Sequence, residues 1–269
     1  MKFFTHEIKV GESIVPLRAY IPDGAPHGFF KGNRPAVVVF PGGGYSFTYG
    51  GEAEPIALAF VAAGFCAFVL DYSVYPARFP QALLEGLTSV RFVRENAEKY
   101  EIDPNRISVC GFSAGGHLAA CTGTLWNHDC LNGLLEGDRT LYRPNTLILS
   151  YPVINPLHRG SFLNLFSKNE SELTNEVIDL LSLERQVSSD TPPTFLWHTS
   201  DDTCVPVESS LAFAMALAKN KIPFEMRIWE NGGHGCCLGT YVTKEAHRIE
   251  APMDCHTWVE DSIRFLLRH

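Results

Sequence analysis

The sequence predicts an α/β fold in which helices cover both faces of a mainly parallel central sheet. Short runs of wholly apolar residues, such as 36–40 and 65–70, recur along the chain, and segments with apolar residues at helical spacing separate them. Strands that are apolar throughout are typical of a sheet buried on both faces, and their alternation with helices is typical of parallel strands. The 269 residues are 45% hydrophobic, so we expect a single domain spanning residues 1–269.

The N-terminal segment differs from the rest because its apolar and polar residues alternate. Residues 3–10 and 15–21 flank a turn at Gly11, and this pattern predicts an antiparallel hairpin or two edge strands. Beyond it, each apolar run closed by turn residues predicts a strand, and each amphipathic or small-residue segment predicts a helix. The expected strands are 36–40, 65–70, 107–110, 146–151, 194–198 and 224–229, and the expected helices are 55–63, 80–100, 113–125, 208–219 and 257–267.

Three segments depart from this alternation. Residues 24–35 are rich in glycine, proline and asparagine and predict a loop. Asp103-Pro104 is expected to break the chain before the strand at 107–110. Residues 155–190 are polar and contain a short helical pattern, so we predict an insertion there that lies over one end of the sheet and shapes a substrate pocket.

The charge distribution bears on the class of partner. The formal net charge is −8, and no run of five or more lysines and arginines occurs. Such a chain is expected to bind neither nucleic acid nor an anionic membrane, and it suits a neutral small molecule. No apolar run approaches the roughly 20 residues that span a bilayer, and the first residues lack the apolar core of a signal peptide.

Cysteine usage predicts a reducing compartment and no metal site. The eight cysteines show no repeated spacing, and several lie in apolar stretches where a thiol packs as a small hydrophobe. Cys236 and Cys237 neighbour His234, but adjacent cysteines do not both reach one tetrahedral ion, and no C-x-x-C pair accompanies them. We therefore expect a cytoplasmic protein that needs no cofactor.

The motif Gly111-Phe-Ser-Ala-Gly115 predicts a nucleophilic serine. The pattern G-x-S-x-G alone is weak, but here it follows the predicted strand 107–110 directly and opens a helix of small residues. That is the setting of a nucleophile elbow, where a strained turn exposes the serine hydroxyl and leaves no room for bulky neighbours. The alternative is a serine N-cap between packing glycines; the context favours Ser113 as nucleophile.

A serine hydroxyl needs a base to take its proton, and the base needs an acid to orient it. In folds with such an elbow the acid and then the histidine follow the serine along the chain, each after a strand. His234 lies in a glycine-rich loop directly after the strand 224–229, which is predicted to be buried, and fits the base. Asp201 and Asp202 both follow the strand 194–198; we favour Asp202 as the acid, with Asp201 as a solvated turn or cap residue.

The glycine run in Pro41-Gly-Gly-Gly-Tyr45 predicts part of an oxyanion hole. It follows a buried strand directly, the position from which a second amide donor comes in this type of site. We expect the amides of Gly43, Gly44 and Ala114 to face the oxyanion, each contributing about 3 kcal/mol to the transition state. The alternative is an ordinary flexible loop.

These motifs resemble those of the esterases of the α/β-hydrolase superfamily, in particular the acetylxylan esterases and the BD-FAE-like "lipase/esterase" group. The resemblance covers nearly the whole chain and includes Pro41-Gly-Gly-Gly-Tyr45, Gly111-Phe-Ser-Ala-Gly-Gly-His-Leu118, Ser150-Tyr-Pro-Val-Ile154, Pro192-Pro-Thr-Phe-Leu-Trp-His198 and Gly232-Gly-His-Gly235. It implies the α/β-hydrolase fold, Ser113, Asp202 and His234 as a triad, and metal-free hydrolysis of carboxylic esters. It also implies short acyl groups, acetyl above all, on xylan fragments or related sugars, and a homodimer.

One position departs from the family pattern. Many relatives carry a histidine that braces the loop before the three glycines, and this chain carries Pro41. The change leaves the backbone donors in place. Aromatic candidates for the pocket lining are Tyr45, Tyr72, Tyr75 and Trp126, and each of them is equally a candidate for the core.

Two other functions fit parts of the pattern. Related catalytic domains cleave peptides, but they bring a large accessory domain, and no segment of these 269 residues is long enough to form one. The same fold serves in catalytically silent binding proteins. Such proteins typically lose the serine, the histidine or the acid, whereas this chain keeps all three candidates. An ester hydrolase is therefore the favoured prediction.

Overall fold

The computed structural model describes residues 1–23, 33–156, 159–166, 173–240 and 253–269. Within these residues, eight strands form one sheet in the order β1-β2-β4-β3-β5-β6-β7-β8. The strands are β1 Lys2–Val10, β2 Ser13–Ile21, β3 Arg34–Phe40, β4 Cys66–Leu70, β5 Ile102–Phe112, β6 Thr146–Ser150, β7 Thr194–Thr199 and β8 Phe224–Trp229. The pairs β1–β2 and β2–β4 are antiparallel, and the other neighbours are parallel.

Helices cover both faces of this sheet. They are α1 Glu54–Ala62, α2 Gln81–Glu95, α3 Ala97–Tyr100, α4 Ala114–Thr124, α5 Arg159–Leu165, α6 Asn175–Leu181, α7 Glu208–Lys219 and α8 Trp258–Leu266. Alternate residues of β3 show why the central strands are apolar throughout. Val38 and Phe40 belong to the same core cluster as residues of α2, α4 and α7, whereas Val37 and Val39 belong to a second cluster with residues of α1 and α8. The predicted α/β architecture and the N-terminal hairpin are therefore confirmed.

Three local predictions were wrong. Asp103-Pro104 does not end the strand: β5 runs through both residues, and a register shift absorbs them, since Arg34 pairs with Ile102 and Ala36 with Ile107. The segment 80–100 forms two helices rather than one, because α2 ends before Asn96. The strand at 224–229 was expected to be buried, but β8 is the edge of the sheet and is partly exposed.

The segment 155–190 contains α5, α6 and a 3-10 turn at Leu183–Arg185, while 157–158 and 167–172 lie outside the described residues. It meets the glycine-rich loop after β3, where the Asn164 side-chain amide donates a hydrogen bond to the Gly44 carbonyl at 2.7 Å. The pocket-shaping role of this segment and the single-domain organisation stay predictions. None of the helices in the described part of the chain combines the length and the apolar character that crossing a bilayer requires.

Candidate active site

Ser113 lies in a strained turn between β5 and α4. Its φ of 53° and ψ of −117° fall outside the regions that side chains ordinarily allow. The turn is held on both sides, because the Ser113 amide donates to the Ser150 carbonyl, and the Ser113 carbonyl accepts from the amides of His117 and Val153. These bonds from β6 and α4 fix a conformation that the local sequence alone would avoid.

The two glycines of the motif are required by close packing. A Cβ on Gly111 would lie 2.1 Å from the Gly115 carbonyl oxygen, and a Cβ on Gly115 would lie 2.1 Å from the Phe40 carbonyl oxygen. Both distances are far below van der Waals contact, so neither position accepts a side chain. The geometry is that of a nucleophile elbow.

The structure brings the predicted serine, histidine and aspartate together. His234 Nδ1 donates to Asp202 Oδ2 at 2.7 Å, and His234 Nε2 lies 2.9 Å from Ser113 Oγ. Because Nδ1 faces a carboxylate it carries the hydrogen, and Nε2 is then free to accept the serine proton. These distances join residues from three separate loops, those that follow β5, β7 and β8.

Asp202 is held as an ionised acid. Its Oδ1 accepts from the amides of Cys204 at 2.8 Å and Val205 at 2.9 Å, and its side chain is fully buried. Burial alone would raise the pKa of Asp202, but hydrogen bonds from His198 and His234 outweigh it and hold the pKa well below its ordinary value. His198 is a partner that sequence reasoning missed.

Asp201, which the sequence predicted to be a solvated turn or cap residue, is exposed in a turn and also bonds to the loop that carries His234. Its two carboxylate oxygens accept from the amides of Gly232, at 3.1 Å, and Gly233, at 2.8 Å. Burial alone would raise the pKa of Asp201, but these two amides and further hydrogen bonds lower it below the ordinary value. The aspartate beside the acid thus anchors the loop that carries His234.

The glycine loop after β3 presents free amides toward the site. Three backbone amides donate no hydrogen bond to another described residue: those of Gly43, Gly44 and Ala114, the last at the start of α4. Gly43 and Gly44 have φ of +131° and +63°, in the range that favours glycine. The amides predicted for the oxyanion hole therefore have no competing acceptor among the described residues.

Other groups brace this loop in place of the histidine that Pro41 replaces. The Pro41 carbonyl accepts from the Tyr72 hydroxyl at 2.6 Å, and the Gly42 amide donates to Glu52 Oε2 at 2.7 Å. Tyr72 and Glu52 are both buried. The loop is thus fixed on two sides although the family's histidine is absent.

A cavity of about 540 Å³ opens onto the serine and the histidine. Its lining comprises Gly43, Gly44, Ser46, Phe47, Tyr49, Glu52, Ser113, Cys204, His234 and Gly235. The aromatic candidates chosen from the sequence are not among these residues: Tyr45, Tyr72 and Trp126 are buried, and Tyr75 is exposed elsewhere. The aromatic lining is Phe47 and Tyr49, whose position just beyond the glycine loop was the signal that sequence reasoning overlooked.

No group of three or more histidine, cysteine and carboxylate side chains within the described ranges is arranged to hold a metal ion. Cys236 and Cys237 are buried, and their thiols lie near backbone carbonyls of the histidine loop. His117 in the elbow helix is also buried; its Nδ1 lies 2.9 Å from the Tyr45 hydroxyl and its Nε2 lies 3.1 Å from the Leu181 carbonyl oxygen. These side chains hold the loops together around the site.

Comparisons with known proteins identify the fold and the family of this chain. Residues 26–217 match the family model BD-FAE. A crystal structure of an acetyl ester-xyloside bifunctional hydrolase from Caldicellulosiruptor lactoaceticus superimposes with a TM-score of 0.81 at 38% identity, covering 96% of this chain and 89% of that one. Its match over almost all of both chains identifies the fold as that of the α/β-hydrolases.

Two curated relatives are longer than this chain. Endo-1,4-beta-xylanase B of Butyrivibrio fibrisolvens is 39% identical over 75% of this chain and 32% of its own length. An acetylxylan esterase of Xylanibacter ruminicola is 29% identical over 85% of this chain and 47% of its own length. The chain thus spans less than half of either relative. Since the family model covers well over half of the 269 residues, this chain belongs to the BD-FAE family.

Proposed function

We propose that this protein is a serine ester hydrolase that works through an acyl-enzyme on short-chain acyl esters. One observation carries the proposal: Ser113 Oγ, His234 and Asp202 form a continuous hydrogen-bonded chain, with 2.9 Å and 2.7 Å between partners, at the floor of a cavity. A serine activated by a histidine that a buried carboxylate orients is the arrangement that acyl transfer requires.

The residues take the following roles. Ser113 Oγ attacks the ester carbonyl carbon while His234 Nε2 takes the hydroxyl proton, and Asp202 stabilises the resulting imidazolium. The amides of Gly43, Gly44 and Ala114 stabilise the tetrahedral oxyanion, aided by the N-terminus of α4. His234 then returns the proton to the leaving alcohol, and a water activated by the same imidazole releases the acid from Ser113.

The substrate we propose is an acetylated xylo-saccharide. Two relatives support this: the hydrolase from Caldicellulosiruptor lactoaceticus is named for acetyl ester and xyloside substrates, and another relative is named an acetylxylan esterase. The cavity supports it independently, because Phe47 and Tyr49 line it and remain 56% and 41% exposed. Large exposed rings beside a nucleophile suit the apolar C–H face of a sugar ring.

We also propose a cytoplasmic location and a homodimer. All eight cysteines are free thiols, as expected of a chain in a reducing compartment. The homodimer rests on the family resemblance, and size-exclusion chromatography with light scattering tests it.

A substrate panel tests the proposed function. The purified full chain should hydrolyse p-nitrophenyl acetate without added metal, and a fluorophosphonate should label Ser113 and stop the reaction. The kcat/KM for acetylated xylo-oligosaccharides should be higher than that for longer-chain p-nitrophenyl esters, feruloyl esters or peptide p-nitroanilides. Wild-type activity in Ser113→Ala would refute the mechanism, and a preference for peptide or feruloyl substrates would refute the substrate class.

A further inference from the structure

A buried carboxyl group that the proposed mechanism does not use lies against the glycine loop, at the lining of the cavity. Glu52, in the 3-10 turn Gly50–Glu52, is 2% exposed. Its Oε2 accepts from the Gly42 amide at 2.7 Å, and its Oε1 accepts from the Tyr151 hydroxyl at 2.6 Å. Burial raises the pKa of Glu52, and the hydrogen bonds from Tyr151 and Gly42 oppose that rise. Burying a carboxyl group costs free energy, so a group buried at this position is expected to have a role.

Gly42 is packed closely between Glu52 and the nucleophile. A Cβ on Gly42 would lie 2.6 Å from Glu52 Oε2 and 3.0 Å from Ser113 Cβ. The backbone of Gly42 therefore fills the whole gap between the carboxylate and the serine. Any shift of Glu52 must move the start of the loop that presents the amides of Gly43 and Gly44.

The other end of the contact chain reaches the histidine loop. The Tyr151 hydroxyl, which donates to Glu52, accepts from the Cys237 amide at 3.1 Å. The Tyr151 ring also meets the His234 ring, with 5.0 Å between centroids and 64° between planes. Tyr151 is fully buried and has a positive φ of 35°, a strained backbone conformation that its surroundings maintain.

We propose that Glu52 and Tyr151 form a positioning pair that fixes the oxyanion loop and the histidine loop relative to each other. The pair links the Gly42 amide on one loop with the Cys237 amide on the other through two side chains. This inference rests on the proposed function, because it concerns the alignment of groups for ester hydrolysis. Both residues act through Gly42 and His234 and are positioning residues.

Isosteric variants test the pair. Glu52→Gln leaves one acceptor oxygen where the carboxylate offers two, and Tyr151→Phe removes the hydroxyl that bridges Glu52 and Cys237. Since misplacing catalytic groups by about 1 Å can cost about 10²-fold in rate, we expect each variant to lower kcat by about 10-fold to 10²-fold. KM should stay within about twofold. Each kcat is calculated from the concentration of active sites, which is measured by titrating Ser113 with a fluorophosphonate. Unfolded protein therefore does not lower the value.

If Glu52 and Tyr151 act as a pair, the effects of the two substitutions on kcat should not be additive. In the double variant, kcat should fall no further than in the more affected single variant, because both changes break one chain of contacts. Two matched controls should keep wild-type kcat. Glu85→Gln changes another buried carboxylate, which binds Ser13 and Ser73, and Tyr142→Phe removes another buried hydroxyl, which donates to the Glu136 carbonyl.

The outcomes separate the two proposals. Unchanged kcat per titrated serine in both single variants, or losses that multiply in the double variant, would overturn the positioning pair while the ester hydrolase stands. If Glu52→Gln does not fold, Tyr151→Phe, which removes a single oxygen atom, decides the question alone. A wild-type protein without esterase activity would overturn the proposed function, and the pair with it.

Discussion

His198 Nε2 lies 3.3 Å from Asp202 Oδ2, the same oxygen that accepts the hydrogen bond from His234. The same nitrogen is 2.9 Å from the Val205 carbonyl oxygen, so it carries a hydrogen, and Nδ1 is left to accept from the Ser210 hydroxyl at 2.8 Å. Asp202 therefore faces donors from two imidazoles in a buried site. With its pKa held well below the ordinary value, it is ionised wherever His234 acts as a base.

Replacing this acid should impair catalysis more than folding. In Asp202→Asn an amide replaces the acceptor that sets the His234 tautomer, so Nε2 no longer accepts the Ser113 proton. We expect kcat for p-nitrophenyl acetate to fall by about 10⁴-fold, as in a serine-protease triad that loses its aspartate. Steady-state kinetics measure this loss, and circular dichroism shows whether the variant folds.

Asp201→Asn is the matched control for that variant. Asparagine keeps one oxygen to accept from Gly232 or Gly233, so the histidine loop loses part of its anchor and the tautomer of His234 is unaffected. We expect kcat to change by less than about tenfold, near the effect of one hydrogen bond. If Asp201→Asn were the more damaging change, the acid would be Asp201.

The glycine loop offers a second matched pair. A Cβ on Gly43 would lie 2.0 Å from the Phe47 carbonyl oxygen, whereas a Cβ on Gly44 meets only Ser161 Oγ at 3.9 Å. Gly43→Ala must displace the loop and its donors, so we expect kcat to fall by about 10²-fold to 10³-fold. Gly44→Ala places alanine at a left-handed φ and should cost roughly 1 kcal/mol of stability with little loss of kcat. A wild-type kcat in Gly43→Ala would show that the loop does not hold the oxyanion.

The sequence indicated that the three proposed triad residues would meet because each follows a strand, and parallel strands bring their carboxyl ends to the same end of the sheet. Ser113, Asp202 and His234 follow β5, β7 and β8 in this way. The glycine motif signals a close approach of the backbone that only glycine permits, so Gly111 and Gly115 were informative on their own. These signals are local in the chain, and local signals are what periodicity and spacing record.

The features of the fold and site that the sequence did not predict depend on contacts between residues far apart in the chain. Glu52 meets Tyr151 across 99 positions of sequence, and although Tyr151 belongs to the motif 150–154, that motif does not indicate its contact with Glu52. The exposure of β8 follows from its place at the sheet edge, which the sequence pattern alone could not assign. Phe47 and Tyr49 line the cavity because Gly43 and Gly42 carbonyls accept from their amides and turn the loop back. Such tertiary contacts produce no periodic pattern of residues in the sequence.

Acid should weaken the fold through His117 before it affects Asp202. Burial lowers the pKa of His117 from 6.5 to about 4, so the native state excludes a proton that the unfolded chain binds between these values. Stability is therefore fully present above pH 6.5 and falls as the pH drops toward 4, by about 3 kcal/mol in all.

Urea unfolding from about pH 7.5, above this range, to about pH 4.5, near its lower end, measures the dependence. His117→Gln removes the titrating group, so its free energy of unfolding should be lower at neutral pH but should fall less steeply with acid than that of the wild type. Parallel slopes in the two proteins would assign the acid sensitivity to other groups.

The aromatic rings of the cavity should discriminate sugar esters from small ones. Phe47 lines the cavity, and its backbone bonds to Gly43 survive truncation of the side chain. In Phe47→Ala we expect KM for acetylated xylotriose to rise about tenfold, equivalent to about 1.4 kcal/mol of lost stacking, while kcat/KM for ethyl acetate stays near the wild-type value. Phe3→Ala is the control, since Phe3 is equally exposed, at 56%, but lies on β1. Equal losses on both substrates in Phe47→Ala would mean that the ring supports the loop and does not bind sugar.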